Sequence, residues 1–291
     1  MYRGLFYQLG AASPARFEAL RDEVTLAEDL GLDAVWCLPM SGDDGGWQGS
    51  APEIWLAGLA GSTERIRLGW GVPGVWPPRE PPVREAEQGA SLDVASGGRL
   101  AVALLPDAGT GVELVEYAEL GVPATVEPAC DEGVRMWVDM WAPATFSWTS
   151  ARFSVPPIDV VPKPVQQPHP PLWLLGWSPA HAAEAGLLGL GFLDVCGGGA
   201  EIWSAHRECY AAARSEAKPD DLVCASTYAV ATDPSEAGET GLAAMGRGGR
   251  SSRDWLEELS AIGIDHVVLR AGPLEGGHEE TCRRIRWFAR S

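Results

Sequence analysis

Ser178 stands between a short apolar run, Leu172 to Leu175, and a stretch of strong helix formers, Ala180 to Ala185, with Gly176 before it and Pro179 after it. The run has the length and character of a strand buried on both faces, and Gly176 lets the backbone turn where a side chain would clash. Ser178 then falls at an N-cap, and Pro179 at the first helical position wastes no donor. A helix begun this way presents free amides and roughly half a positive charge, which is a ready site for a phosphate. A serine in the same place can also be a cap and nothing more, and these residues alone leave both readings open.

Other chemistry-bearing residues are scattered. Arg270 ends an apolar run and is followed by Gly272. It is a candidate second phosphate contact, with a salt bridge to neighbouring acids as the plainer reading. Trp47, Trp70, Trp76 and Trp177 lie near what should be loop mouths and could wall a pocket for a flat ring, although 13 tryptophans must mostly serve the core. Tyr7, Met40, Ser41, Trp76 and Asp107 are the candidate substrate contacts. No Ser-His-Asp or Cys-His triad can be assembled, and no catalytic residue is assigned. His206 and Cys209 share a helical face, but two ligands without a third make no metal site. Gly186 to Gly191 resembles a dinucleotide loop only superficially, since it leads from a helix into a strand.

The elements that must position these residues alternate regularly. Strands are expected at Leu5–Leu9, Ala34–Leu38, Arg67–Val72, Leu100–Leu105, Leu172–Leu175, Phe192–Cys196, Ala225–Ala231 and His266–Arg270, with helices between them and an irregular excursion with a small hairpin at Phe146–Pro164. Eight such units in 291 residues predict an α/β fold, a closed (β/α)8 TIM barrel forming a single domain over residues 1–291, with a doubly wound open sheet as the alternative. On a barrel the site forms at the C-terminal strand ends, which makes eight loops the suspects: Gln8–Gly10, Pro39–Gly46, Gly71–Pro78, Pro106–Thr110, Gly176–Ser178, Gly197–Gly199, Thr232–Pro234 and Arg270–Pro273.

Composition sets limits. Forty acidic against 22 basic residues give a net charge of −18, which repels nucleic acid and anionic membrane. No apolar run approaches the ~20 residues of a membrane span, and the start Met-Tyr-Arg-Gly opens a strand rather than a signal peptide, so a cytoplasmic protein is expected. Six cysteines without a Cys-x-x-Cys pair point to reduced, buried thiols rather than disulfides or zinc.

Several segments together resemble the bacterial luciferase-like family of flavin- or F420-dependent oxidoreductases. They are Ala27 to Trp36, Thr63 to Gly69, Pro82 to Gln88, Leu92-Asp93 with Ser96 to Leu100, and Pro164 to Pro171. Their order over the first two thirds of the chain carries the likeness. The resemblance implies a barrel, usually dimeric, with reduced FMN or coenzyme F420 across the strand ends and its phosphate near the fifth strand. It makes Ser178 the phosphate serine and sets His181 where relatives place a hydroxyl residue. Trp70, Gly71, Gly176, Trp177, Ser178, His181 and Arg270 become the expected cofactor contacts. Three departures stand out. Pro39-Met40-Ser41 replaces a Glu-His-His, and none of the three titrates near neutrality. Pro106-Asp107 stands where luciferase-type members hold the phosphate with arginine, and Trp70 where they keep a small residue under the flavin. Two functions follow: an oxidoreductase or monooxygenase acting on a small organic substrate, or a degenerate barrel without cofactor that binds a ligand or supports a related subunit. The expected assembly is a homodimer or a heterodimer with such a subunit.

Overall fold

Strands that are apolar on both faces must lose both surfaces to water, and a sheet closed on itself inside a ring of helices does this with no edge left over. The computed structural model of the protein describes residues 1–9, 14–39, 51–73, 82–105, 130–151, 153–196, 199–218, 228–232, 252–272 and 277–290. Its strands are β1 (Tyr2–Leu9), β2 (Ala34–Pro39), β3 (Arg67–Pro73), β4 (Leu100–Leu105), β5 (Phe146–Thr149), β6 (Ser154–Ile158), β7 (Leu172–Gly176), β8 (Gly191–Asp194), β9 (Tyr228–Thr232) and β10 (His266–Gly272). The helices are α1 (Pro14–Asp29), α2 (Pro52–Ala60), α3 (Val83–Ala95), α4 (Cys130–Trp141), α5 (Pro179–Leu188), α6 (Gly199–Glu216), α7 (Ser252–Ala261) and α8 (Gly277–Ala289). The closed barrel runs β1-β2-β3-β4-β7-β8-β9-β10 and back to β1, all parallel, while β5 and β6 form a separate antiparallel hairpin. The barrel and the hairpin are as the sequence predicts, and the open sheet is excluded.

Alternation along each strand divides the core in two. Phe6, Trp36, Leu38, Ala101, Ala103, Leu175, Leu193, Ala229 and Val268 fill the barrel interior. Their neighbours in sequence, such as Leu5, Val35, Leu68, Val102 and Leu174, pack outward under the helices. The interior works by pairing large with small. The rings of Trp36 and Trp173 meet edge-on at 5.6 Å, and His266 meets Trp173 at 5.7 Å. A side chain at Gly69 would overlap the Trp36 ring, and a Cβ on Gly191 would lie 2.5 Å from the Trp173 ring. Both glycines are therefore the counterpart of an indole.

Four of the five segments that carried the family resemblance meet at the N-terminal end of the barrel, while Pro82 to Gln88 opens α3 beyond the C-terminal end of β3. Glu28 accepts the backbone N–H groups of Glu64, Arg65 and Ile66 at 3.0, 2.5 and 2.7 Å. Burial alone would raise its carboxyl, but these three amides outweigh burial and hold it below the ordinary value. Arg99 donates to the carbonyls of Ala60, Thr63, Ile66 and Ser96. Asp93 accepts from the backbone and side-chain amides of Gln166, whose own side-chain oxygen takes Arg67. This end is tied by charge-assisted bonds to backbone, which fix loops more firmly than exposed ion pairs do.

Cys37, Cys196, Cys209 and Cys282 are in no disulfide. Cys37 is fully buried and burial pushes its thiol up to about 12, whereas the other three are partly accessible. Among the described residues no helix is long and apolar enough to cross a membrane.

Candidate functional site

The turn from β7 into α5 follows the residues in order. A Cβ on Gly176 would come 2.6 Å from the His181 Cβ and 2.8 Å from the Phe192 ring, so only glycine lets the first turn of α5 tuck against the strand end. Ser178 is extended, with φ −139° and ψ 158°, and its Oγ accepts the His181 N–H at 3.3 Å. Pro179 opens the helix, and Gly189 closes it in the left-handed conformation at φ 72°. The cap uses one lone pair of the Ser178 hydroxyl, so its O–H remains a donor for an incoming anion.

His181 faces the same end. Its Nδ1 accepts the Trp177 N–H at 3.4 Å, which leaves the ring proton on Nε2. Burial first, and the neighbouring His206 second, hold His181 below its ordinary value, so the ring is neutral near pH 7. The Trp177 ring stands edge-on to His181 at 4.7 Å and is 36% exposed, a free aromatic face beside the helix N-terminus. The His181 and Ala182 amides are spent on Ser178, and Pro179 has none. The result is a half-open cradle with a hydroxyl, an imidazole N–H, the Ala180 amide and an indole. It can bind an anion and lay a ring against Trp177.

Arg270 lies across the barrel. It pairs in register with Phe6, and alternation with the interior Val268 puts it on the inner face of β10, half-buried. Gly71 also faces inward, where Leu38 covers it.

Tyr7 and Trp70 do not belong to the mouth. Tyr7 is fully buried on the outer face of β1, where its hydroxyl donates to Glu23 Oε2 on α1 at 2.9 Å; burial first, then Glu23, pushes that hydroxyl well above its ordinary value. Trp70 is 3% exposed and packs outward toward α3, where a Cβ on Gly89 would sit 3.4 Å from its ring. The inner face of β3 carries Gly69 and Gly71 instead, so the space expected to be filled by Trp70 is left to Trp36 and Leu38. Met40, Ser41, Trp76 and Asp107 lie outside the described residues.

Sequence reasoning missed one pair. Asp194, fully buried at the end of β8, accepts the His206 Nδ1–H at 2.8 Å through Oδ2 and the Cys196 N–H at 3.0 Å through Oδ1. His206 thus faces the strand and not Cys209. The available signal was the acid that ends the otherwise apolar Gly191–Asp194 run. Val195 N–H bonds the Gly176 carbonyl at 2.8 Å, which locks this corner to the end of β7.

Comparison with known proteins accords with this architecture. The structure superposes on the crystal structure of monooxygenase RslO1 from Streptomyces bottropensis with a TM-score of 0.73 at 23% identity, covering 100% of this chain and 98% of that one. It superposes on the FMN complex of the oxygenating constituent of 3,6-diketocamphane monooxygenase from Pseudomonas putida at 0.71 and 14% identity, covering 99% and 96%. For the coenzyme F420-dependent tetrahydromethanopterin reductase from Methanopyrus kandleri the values are 0.70, 15%, 98% and 96%. At these identities the likeness is one of fold. In sequence, the oxygenase component of a flavin-dependent trigonelline monooxygenase from Acinetobacter baylyi is 27% identical over 132 residues, which is 44% of this chain and only 34% of that protein. The luciferase-like monooxygenase family matches residues 5–280, and with the tied barrel end built from the same motifs this assigns the chain to that family.

Proposed function

We propose that the chain is a flavin- or F420-dependent oxidoreductase of the monooxygenase type, with residues 1–291 acting as one domain and the cofactor phosphate seated on the first turn of α5. The observation that carries this reading is the capped, half-open cradle of Ser178, His181 and Trp177 at the end of β7. It fits a phosphate in charge and donor count: the Ser178 O–H, the His181 Nε2–H and the Ala180 amide are donors at the positive end of the helix, the other first-turn amides being spent on the Ser178 cap and carbonyl. Arg270 on the inner face supports it from the far side as a second anion contact or as a contact to the ring. Solved relatives of this fold bind FMN or F420, and both cofactors carry a phosphate and a flat tricyclic ring.

When bound, such a cofactor supplies electrons to oxygen or to an organic substrate. The chain's own work is then to hold the phosphate, present an aromatic face and keep the barrel mouth dry. Pro39 ends β2 where many relatives begin Glu-His-His, so protons must come from water or substrate at that position. The trigonelline enzyme is named an oxygenase component, and the proposal includes a partner here too, as a homodimer or a heterodimer with a related subunit.

Titration of the purified protein with FMN, reduced FMN and F420, followed by tryptophan fluorescence, tests the reading. Micromolar binding of one cofactor, with a quench reduced in Trp177→Ala, is expected. No binding of any of the three would overturn it in favour of a degenerate barrel that supports another subunit or binds a different ligand.

A further inference from the structure

We propose that Asp194, Cys196 and His206 form a binding site for a divalent transition metal of the zinc class, behind the first turn of α5. Their ligand atoms, a carboxylate oxygen, a sulfur and an imidazole nitrogen, all lie within 4.8 Å of one another. A tetrahedral zinc ion with bonds of about 2.0 to 2.3 Å holds its ligands roughly 3.3 to 3.8 Å apart, so the cluster must close by about 1.5 Å at most. The Asp194–His206 contact, at 2.8 Å, must open slightly as the metal replaces the shared proton.

The mixed donor set selects the metal. A thiolate and an imidazole favour Zn²⁺ or Co²⁺ over Mg²⁺ or Ca²⁺, which need cages of oxygen. Three protein ligands leave the fourth position to a water molecule. Access comes through Cys196, which is only half-buried, while the Asp194 side chain is fully buried and that of His206 is 5% exposed. The support is already in place. The Cys196 N–H fixes the second carboxylate oxygen at 3.0 Å, the role that outer hydrogen bonds play around metal ligands. The scaffold is rigid: Tyr210 of α6 donates to the Leu190 carbonyl at 2.9 Å and stacks on Phe192, and Gly186 lets α6 approach α5 closely. The Asp-x-Cys pair at the strand end and the histidine on the next helix are brought together by a single β/α unit. The sequence expectation of a merely packed thiol is revised for Cys196 alone.

On binding, the Cys196 thiol proton leaves to solvent and the His206 ring proton moves from Nδ1 to Nε2, so about one proton is released per metal ion. The site requires no cofactor, and its test is independent of the flavin reading. Full-length protein, freed of metal with a chelator, is titrated with Co²⁺ and read by the thiolate-to-cobalt charge-transfer absorption in the near ultraviolet. One equivalent should give that band together with the intense visible bands of tetrahedral cobalt, and Zn²⁺ should bleach both. Cys196→Ser should abolish the charge-transfer band, His206→Ala should weaken Co²⁺ binding at least about tenfold, and Cys209→Ser should leave both unchanged. Absence of the band in the wild-type protein, or its survival in Cys196→Ser, would overturn the site and leave Asp194 and His206 as a packed hydrogen-bonded pair.

Discussion

The two ends of this barrel are built on opposite principles. At the N-terminal end charged groups are spent on backbone: Arg99 on four carbonyls, Glu28 on three amides, Asp93 on the Gln166 N–H. At the C-terminal end, around the β7–α5 turn, donors are left over: a serine hydroxyl with a spare proton, a neutral histidine with a free N–H, and an indole more than a third exposed. Groups bound to backbone hold a fold, whereas groups with spare capacity can hold a ligand. In parallel barrels the chemistry sits at the strand C-termini and the opposite face serves stability, and the split here follows that rule.

The comparison breaks most visibly at Arg99. Replacing it with leucine strands four carbonyls, and we expect a loss of about 3 kcal/mol or more, read as a fall in Tm, with no rescue by lysine, whose single ammonium cannot span four acceptors. If the ends are independent, whatever fraction stays folded binds cofactor with wild-type affinity. Gly191→Val tests the indole packing between the two ends. It forces a side chain against Trp173 and should cost about 2 kcal/mol in a denaturant titration without altering the cobalt spectrum.

Ser178→Ala should behave in the opposite sense. Losing the cap costs about 1 kcal/mol of stability, while losing the hydroxyl weakens cofactor binding about tenfold. An unchanged affinity would leave Ser178 a cap only. The smallest effect concerns pH. Because the Glu28 carboxyl titrates below its ordinary value of about 4.3, its contribution to stability is complete above that pH and is lost as the pH falls through the lower folded value. Tm plotted against pH should therefore drop less steeply below about pH 5 in Glu28→Gln than in the wild-type protein, and an identical acid limb would show that the three amides do not act on this carboxylate.

Much of the fold was legible because short doubly apolar strands and amphipathic helices alternate, and the Ser178 cap was legible because its signals are local. The orientation of Trp70 was not. Leu68, Trp70 and Val72 alternate with Gly69 and Gly71, which shows that they share a face, but both faces of such a strand are apolar and the pattern cannot say which one looks into the barrel. Tyr7 failed for the same reason: its partner Glu23 lies on the next helix, a distance in chain that periodicity does not bridge. Asp194 and His206 join across a β/α unit in the same way.

Recognition of a phosphate by the α5 N-terminus is the property that decides what this end of the barrel does. Side-by-side titrations of the protein with FMN and with riboflavin, and with F420 and its dephosphorylated chromophore, measure this directly. We predict that the phosphorylated member of one pair binds about tenfold or more tightly than its partner, and that Ser178→Ala narrows the gap. Equal affinity within both pairs would contradict the assignment of this end of the barrel.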